Sequence, residues 1–463
     1  MIRLSIKFIP ILLAVLNLWM PFNDVQIVGA MAFWMITWWI FEVMPLGITA
    51  LIPSLLLPLS GILSLKDTLS FYSHPIIYLF LGGFIIAQAL EKTQLSERFA
   101  MIILKYTGKS AKGVLIGFMI STAFLSMWIS NTATTVMMIP IADSILKFIQ
   151  KYTENTPKHL RLFSICLMLS IAYAANIGGT MTPIGTPPNV VFMGYLQELV
   201  QIEVDFYKWM LIVSPISISL LIVTYFVNAY LLYPFKLKLD SNFHNFLSNK
   251  LRSLGGLSKE QKITLIIFVL TCLSWIFKNP INSILNQKLI QDPIIALGGG
   301  VSLFLFSILD EKDISYLPWN IVLLFGGGMA LANSFSHVGL LESLSGLFQS
   351  YGQGDLYFFI FISSALILFL TEIMSNVALC TIALPIFITF AQKQGIDPMI
   401  IGVPLTLCSS FAFSMPISTP PNAIVFATGK ISVKHMMRAG ILMNIASILM
   451  TMSIGWFMLK NFL

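Results

Sequence analysis

The chain has 463 residues, of which 57% are hydrophobic and only 10% charged. A soluble domain carries about 25% charged residues and has too little interior to hide this much apolar side chain, so the composition specifies a polytopic membrane protein. The net charge of +7 would suit an acidic partner, but its distribution along the chain reports membrane orientation and excludes a nucleic-acid reading.

Apolar runs of about 20 residues separated by short polar breaks are the mark of helical spans rather than of a barrel. Arg3 and Lys7 precede an apolar run at 8–21 with no small-residue cleavage site after it, so it reads as a retained first span and not as a signal peptide. Spans follow at 25–41, 45–63 and 72–90, then a basic stretch to Lys112. Residues 114–147 are apolar but interrupted at Ser130-Asn131-Thr132. Two halves too short to cross, joined by a polar break, read as a re-entrant hairpin. The run 162–200 is broken between Asn176 and Asn189, where Thr186-Pro187-Pro188-Asn189 ends the interruption, and 209–235 is a further span. The polar stretch from Lys236 to Lys262 reads as a linker between two halves.

The second half repeats the plan. Spans lie at 263–277, 293–309 and 318–338. A second hairpin covers 356–391 with Ser375-Asn376 at its middle, a second broken span at 399–428 is interrupted from Met415 to Asn422 by Thr419-Pro420-Pro421-Asn422, and a last span covers 436–459. The expected fold is all-α, with about 11 transmembrane helices and two re-entrant hairpins. The repeat reaches beyond the polar motifs: Leu79-Phe80-Leu81-Gly82-Gly83 is matched by Leu323-Leu324-Phe325-Gly326-Gly327. The two Gly-Gly helices are an odd number of crossings apart, so the second copy is inverted. Inverted repeats with helices broken at matching places are the pointer to a secondary transporter whose site lies near the midplane.

Orientation follows from the cations. With the N-terminus inside, 21 lysines and arginines fall on the inner side and 6 on the outer, the outer ones being Lys66, Lys208, Lys278, Lys288, Lys393 and Lys460. That bias places the N-terminus in the cytoplasm and the C-terminus outside. Short loops fit a bacterial inner membrane.

At the breaks, the prolines enforce unwound chain, because they cannot donate and they restrict their neighbours. Free carbonyls there suit a small hard cation such as Na⁺, and half-helix N-termini suit an anion. The motifs contain no lysine or arginine, which fits a divalent anion whose charge is offset by co-bound cations and which must be released again. Each polar motif alone could be interhelical glue, and a lone Pro-Pro could be a kink; the matched duplication argues for a transport site. Glu42 and Glu372 are acidic residues in or near the membrane and so functional candidates, with a structural hydrogen bond the other reading for Glu42. Asp143 reads as structural. Cys166, Cys272, Cys380 and Cys408 show no paired spacing, and the five histidines form no ligand cluster, so neither a disulfide framework nor a metal-binding cofactor is expected. Cys380 has no base partner in the sequence, which argues against an enzyme, and the chain ends at Leu463 without the signalling domain a sensor would append.

Several stretches together resemble the divalent anion:sodium symporter (DASS) family over nearly the whole chain. They are Trp38-Trp39-Ile40-Phe41-Glu42-Val43-Met44-Pro45-Leu46, Leu125-Ser126-Met127-Trp128-Ile129-Ser130-Asn131-Thr132, Gly185-Thr186-Pro187-Pro188-Asn189 and Thr371-Glu372-Ile373-Met374-Ser375-Asn376. The resemblance implies a homodimer of elevator type, each protomer having scaffold and transport parts. Residues 1–113 and 263–355 would be scaffold, 114–235 and 356–463 transport, and 236–262 a cytoplasmic linker. It also implies a first Na⁺ site of Ser126, Ser130, Asn131 and Gly185, and a second of Thr371, Ser375, Asn376 and the backbone of Ser418. Substrate would be held by Ser130, Asn131, Thr132, Thr186, Ser375, Asn376, Thr419 and Pro420. Val377 departs from the Thr of many bacterial relatives, and the lost hydroxyl alters selectivity. The function expected is Na⁺-coupled symport of a C4 dicarboxylate (succinate, malate or fumarate). The alternatives are Na⁺-independent dicarboxylate exchange and Na⁺-coupled transport of sulfate or citrate.

Overall fold

The computed structural model describes residues 23–152, 156–239, 241–346 and 356–462. The span expected at 8–21 lies outside them. The described residues are helical, with no strand among them. Seven of their helices are long and apolar enough to cross a membrane, or eight if the pair Trp319–His337 and Leu340–Gly346, bent by 78°, is counted as one span. Six shorter apolar helices accompany them.

The first half runs α1 (Asp24–Ile40), α2 (Pro75–Lys92), α3 (Leu95–Thr107), α4 (Ala111–Ser126), α5 (Asn131–Tyr152), α6 (Pro157–Gly179), α7 (Pro187–Val200) and α8 (Phe206–Phe226). Short helices Leu46–Thr49, Ile52–Leu59 and Leu65–Ser70 stand between α1 and α2. A single span was expected over 45–63; Pro45, Pro53 and Pro58 remove backbone donors there, and the segment is helical only in pieces. The second half runs α9 (Ser241–Ser253), α10 (Lys259–Leu285), α11 (Asp292–Leu305), α12 (Trp319–His337), α13 (Leu356–Thr371), α14 (Asn376–Lys393), α15 (Pro398–Ser410), α16 (Pro420–Ala427) and α17 (Val433–Met450). A π turn at Thr451–Gly455 continues α17 into Trp456–Phe462.

Close approach of backbones holds the core. A Cβ on Gly178 of α6 would fall 2.3 Å from the carbonyl oxygen of Ala123 in α4, and one on Gly82 of α2 would fall 2.5 Å from the carbonyl carbon of Ala296 in α11. Only glycine allows these contacts, which stand in for a hydrophobic driving force between helices in lipid. The two halves also meet directly: α6 and α5 pack on α16, and α7 packs on α14 and α15.

The stretch from Lys236 to Lys262 is not simply a linker, because it contains the amphipathic helix α9. Phe243 and Leu247 are fully buried against α3, and Phe246 stacks on Phe148 of α5 at 4.4 Å. Arg98 of α3 donates to the carbonyls of Leu254, Gly255 and Gly256, fixing the exit from α9. The following helix starts earlier than expected because Ser258 and Gln261 form a reciprocal cap.

Candidate functional site

The first tip lies between α4 and α5. Ser130 accepts the Ala133 N–H at 3.2 Å, supplying a partner to the start of α5. Ser126 Oγ lies 2.6 Å from Asn131 Oδ1 and 2.7 Å from the Ala175 carbonyl oxygen. The second tip, between α13 and α14, repeats this set: Thr371 Oγ1 lies 2.7 Å from Asn376 Oδ1 and 2.5 Å from the Ser409 carbonyl oxygen. Each set gathers a hydroxyl, an amide and a carbonyl oxygen within hydrogen-bond distance, and the one hydroxyl proton serves only one of its two acceptors at a time. Such a cluster suits a hard cation that prefers hydroxyl, amide and carbonyl oxygens. Ser126 and Thr371 are both fully buried.

The breaks follow. Residues 180–186 separate α6 from α7, and 411–419 separate α15 from α16. α7 opens with Pro187-Pro188 and α16 with Pro420-Pro421, at helix positions whose N–H groups have no intrahelical partner in any case. The asparagine that ends each motif closes the break. Asn189 Nδ2 sits 3.4, 3.2 and 2.8 Å from the carbonyl oxygens of Gly179, Thr180 and Thr182. Asn422 Nδ2 sits 3.0 and 3.1 Å from those of Ala412 and Met415. Both are fully buried. These amides hold carbonyls of Gly179, Thr180, Thr182, Ala412 and Met415, not those of Gly185 or Ser418.

Each tip is tied to its break, by different chemistry in the two halves. Thr182 donates its hydroxyl proton to the Met127 carbonyl at 2.5 Å. In the second half a carboxylate does this work. Glu372 Oε1 accepts from the Phe413 N–H (3.0 Å), the Ser414 N–H (2.8 Å) and Asn444 Nδ2 (2.7 Å), and its Oε2 accepts from the Met415 N–H (3.2 Å) and the Ser418 hydroxyl (2.5 Å). Five donors satisfy a carboxylate that has no basic partner among the described residues, which is what a buried charge requires. The other sequence candidates divide. Asp143 pairs with Lys430 at 2.8 Å, joining α5 to the turn after α16. Glu42 is exposed, adopts a left-handed backbone (φ 47°) just past α1, and lines the cavity.

Tips and breaks open onto one cavity of about 1200 Å³. Ser130, Asn131, Thr132, Gly185, Thr186, Ser375, Asn376, Ser418, Thr419 and Pro420 all line it. Ser126 and Thr371 stand behind the two asparagines and are not part of the wall. The N-termini of α5, α7, α14 and α16 all begin at this wall, presenting positive dipole ends to it. Ile40, Phe41, Phe80, Phe84, Gln88, Glu91, Tyr316 and Leu317 also line the cavity. No lysine, arginine or histidine lines the cavity among the described residues; its charged lining residues are Glu42 and Glu91. The two tips differ. Thr132 is matched by Val377, and Ser375 makes no side-chain cap bond where Ser130 does.

Four asparagines that bond to the breaks or to Glu372 carry no role in the sequence reading. Asn189 and Asn422 belong to the duplicated motif, which was the available signal. Asn176 and Asn444 are single polar residues within apolar helices.

The model of the family described as the sodium:sulfate symporter transmembrane region matches residues 3–462. The chain belongs to this divalent anion:sodium symporter family. Like its relatives in the family, it is a membrane transporter rather than an enzyme. The sodium-dependent dicarboxylate transporter SdcS of Staphylococcus saprophyticus is 36% identical over 441 residues, covering 93% of this chain and 85% of that one. SdcS of Staphylococcus aureus (strain USA300) is 35% identical over 456 residues, covering 95% and 87%. Two solved structures share the fold at low identity. Neisseria gonorrhoeae MtrF, of a class of antimetabolite efflux pumps, matches at TM-score 0.59 and 14% identity over 85% of this symporter-family chain and 83% of its own. The Alcanivorax borkumensis YdaH transporter matches at TM-score 0.54 and 12% identity over 87% of each.

Proposed function

We propose that this symporter-family protein couples the inward movement of Na⁺ to the uptake of C4 dicarboxylates such as succinate, malate and fumarate. One observation carries the reading: two matched clusters of hydroxyl, amide and carbonyl oxygens flank a cavity that has four helix N-termini and, among the described residues, no basic side chain. Helix ends alone offset part of a dianion's charge; co-bound cations supply the rest and leave with the substrate. The names of the two staphylococcal relatives support the same reading. Na⁺ is the coupling ion, and no resident cofactor is required.

In this account Ser126, Ser130, Asn131 and Gly185 hold one Na⁺, and Thr371, Ser375, Asn376 and the Ser418 backbone hold another. Ser130, Asn131, Thr132, Thr186, Ser375, Asn376, Thr419 and Pro420 face the substrate. The protein works as a homodimer in a bacterial plasma membrane, N-terminus inside and C-terminus outside, with 114–147 and 356–391 as re-entrant hairpins. Residues 114–235 and 356–463 move as a transport unit, elevator fashion, against a scaffold of 1–113 and 263–355.

Labelled succinate uptake into proteoliposomes tests this. Uptake should follow an inward Na⁺ gradient without internal succinate and vanish when K⁺ replaces Na⁺. Uptake that needs internal succinate and ignores Na⁺ would make the protein an exchanger and overturn the coupling.

A further inference from the structure

Asn176 sits in the cavity wall near the end of α6, 1% exposed, and reaches across to the second break. Its Nδ2 lies 3.1 Å from Thr419 Oγ1 and 3.5 Å from the Ala412 carbonyl oxygen. A carbonyl oxygen can only accept, so the amide nitrogen faces this pair, and Asn176 donates while the Thr419 hydroxyl accepts. As N-cap of α16, Thr419 Oγ1 also receives the Asn422 N–H at 3.4 Å. A hydroxyl has two lone pairs and one proton. With both lone pairs engaged, Thr419 is left only to donate, and among the described residues nothing accepts its proton. Its open side is the cavity.

The first half has no counterpart. Thr186 makes no side-chain cap bond. Where the second half could supply a residue like Asn176, Ser409 and Ser410 bond back to the Thr406 carbonyl of their own helix.

We infer that Asn176 is a positioning residue for substrate recognition, fixing the Thr419 hydroxyl as a one-way donor toward a substrate carboxylate. This rests on the transport reading above and adds a residue and a direction to it. A carboxylate oxygen, which only accepts, matches such a donor; a group that can only donate is rejected at this end of the site.

The test uses the full chain in proteoliposomes under an inward Na⁺ gradient, measuring labelled succinate uptake for wild type, Asn176→Ala, Thr419→Val, the double variant, and Asn176→Ala combined with Thr186→Val. Asn176→Ala and Thr419→Val should each raise KM about tenfold, as expected for losing one hydrogen bond to a charged group, with Vmax and the Na⁺ half-saturation kept. The Asn176/Thr419 double variant should be no worse than Thr419→Val alone. With Thr186→Val the effects should multiply. If Asn176→Ala does not fold, Asn176→Ser enters the same cycle. Multiplicative effects at Asn176 and Thr419, or a fall in Vmax with KM unchanged, would overturn the inference while leaving dicarboxylate transport standing. Absence of wild-type uptake would overturn both.

Discussion

Ser130 and Ser375 occupy the same place in two copies of one motif, yet their hydroxyls are employed differently. Ser130 accepts the Ala133 N–H, and Ser375 caps nothing. Ser130→Ala therefore removes a helix cap, worth about 1 kcal/mol, as well as a site hydroxyl. Ser375→Ala removes only the site hydroxyl. Uptake should fall in both, and the thermal midpoint of the purified protein should fall only for Ser130→Ala. Equal midpoints would show that the two serines do the same work. The same asymmetry appears at Thr132 and Val377, so the donors available to a substrate differ between the tips: the Ser130 and Thr132 hydroxyls on one side, the Ser375 hydroxyl alone on the other. A dianion with two like ends thus meets two unlike walls.

At the scale of elements, the breaks persist because their backbone groups have partners. Glu372 takes three N–H groups of the second break, and Asn189 and Asn422 take the carbonyls. Glu372→Gln puts an amide donor against N–H and O–H donors, leaving about 2–3 kcal/mol of unmet hydrogen bonding. It should lower the thermal midpoint and abolish uptake together. Full stability with uptake lost would assign Glu372 to transport alone. The breaks and tips were legible in the sequence because prolines and paired Ser-Asn stand out in apolar runs and recur in order. Their internal ties were not, because Asn189 needs the carbonyls of Gly179 to Thr182 folded around it before its role is visible. α9 was hidden for a different reason. Its apolar face is only Phe243, Phe246, Leu247 and Leu251 in a polar stretch, so composition reads linker while the spacing of these four reads helix. The piecewise helices over 45–63 show prolines overriding an apolar run.

For the whole molecule, the proposed scaffold and transport parts approach most closely at one seam through glycine. A Cβ on Gly328 of α12 would meet Thr381 Cγ2 at 2.7 Å and Tyr195 Oη at 2.9 Å, and one on Gly194 of α7 would meet Met329 Cε at 2.2 Å. Side chains also cross between the two parts, as in the Lys278–Asp205 ion pair and the stacked rings of Phe206 and Trp275. Gly328→Val should cut Vmax at least tenfold, by obstructing movement of one part past the other, while Na⁺-dependent succinate binding to the purified protein persists; normal Vmax would separate the Gly328 contact from the transport cycle. The central claim, however, is that the duplicated tips make two cation sites serving one anion. Simultaneous uptake of labelled Na⁺ and labelled succinate by the same proteoliposomes tests it most directly, in wild type and in Ser126→Ala and Thr371→Ala, whose hydroxyls lie behind the cavity wall. The account predicts at least two Na⁺ per succinate in the wild type, with coupling weakened in either variant. One Na⁺ or none per succinate, or a ratio unchanged by both substitutions, would contradict it.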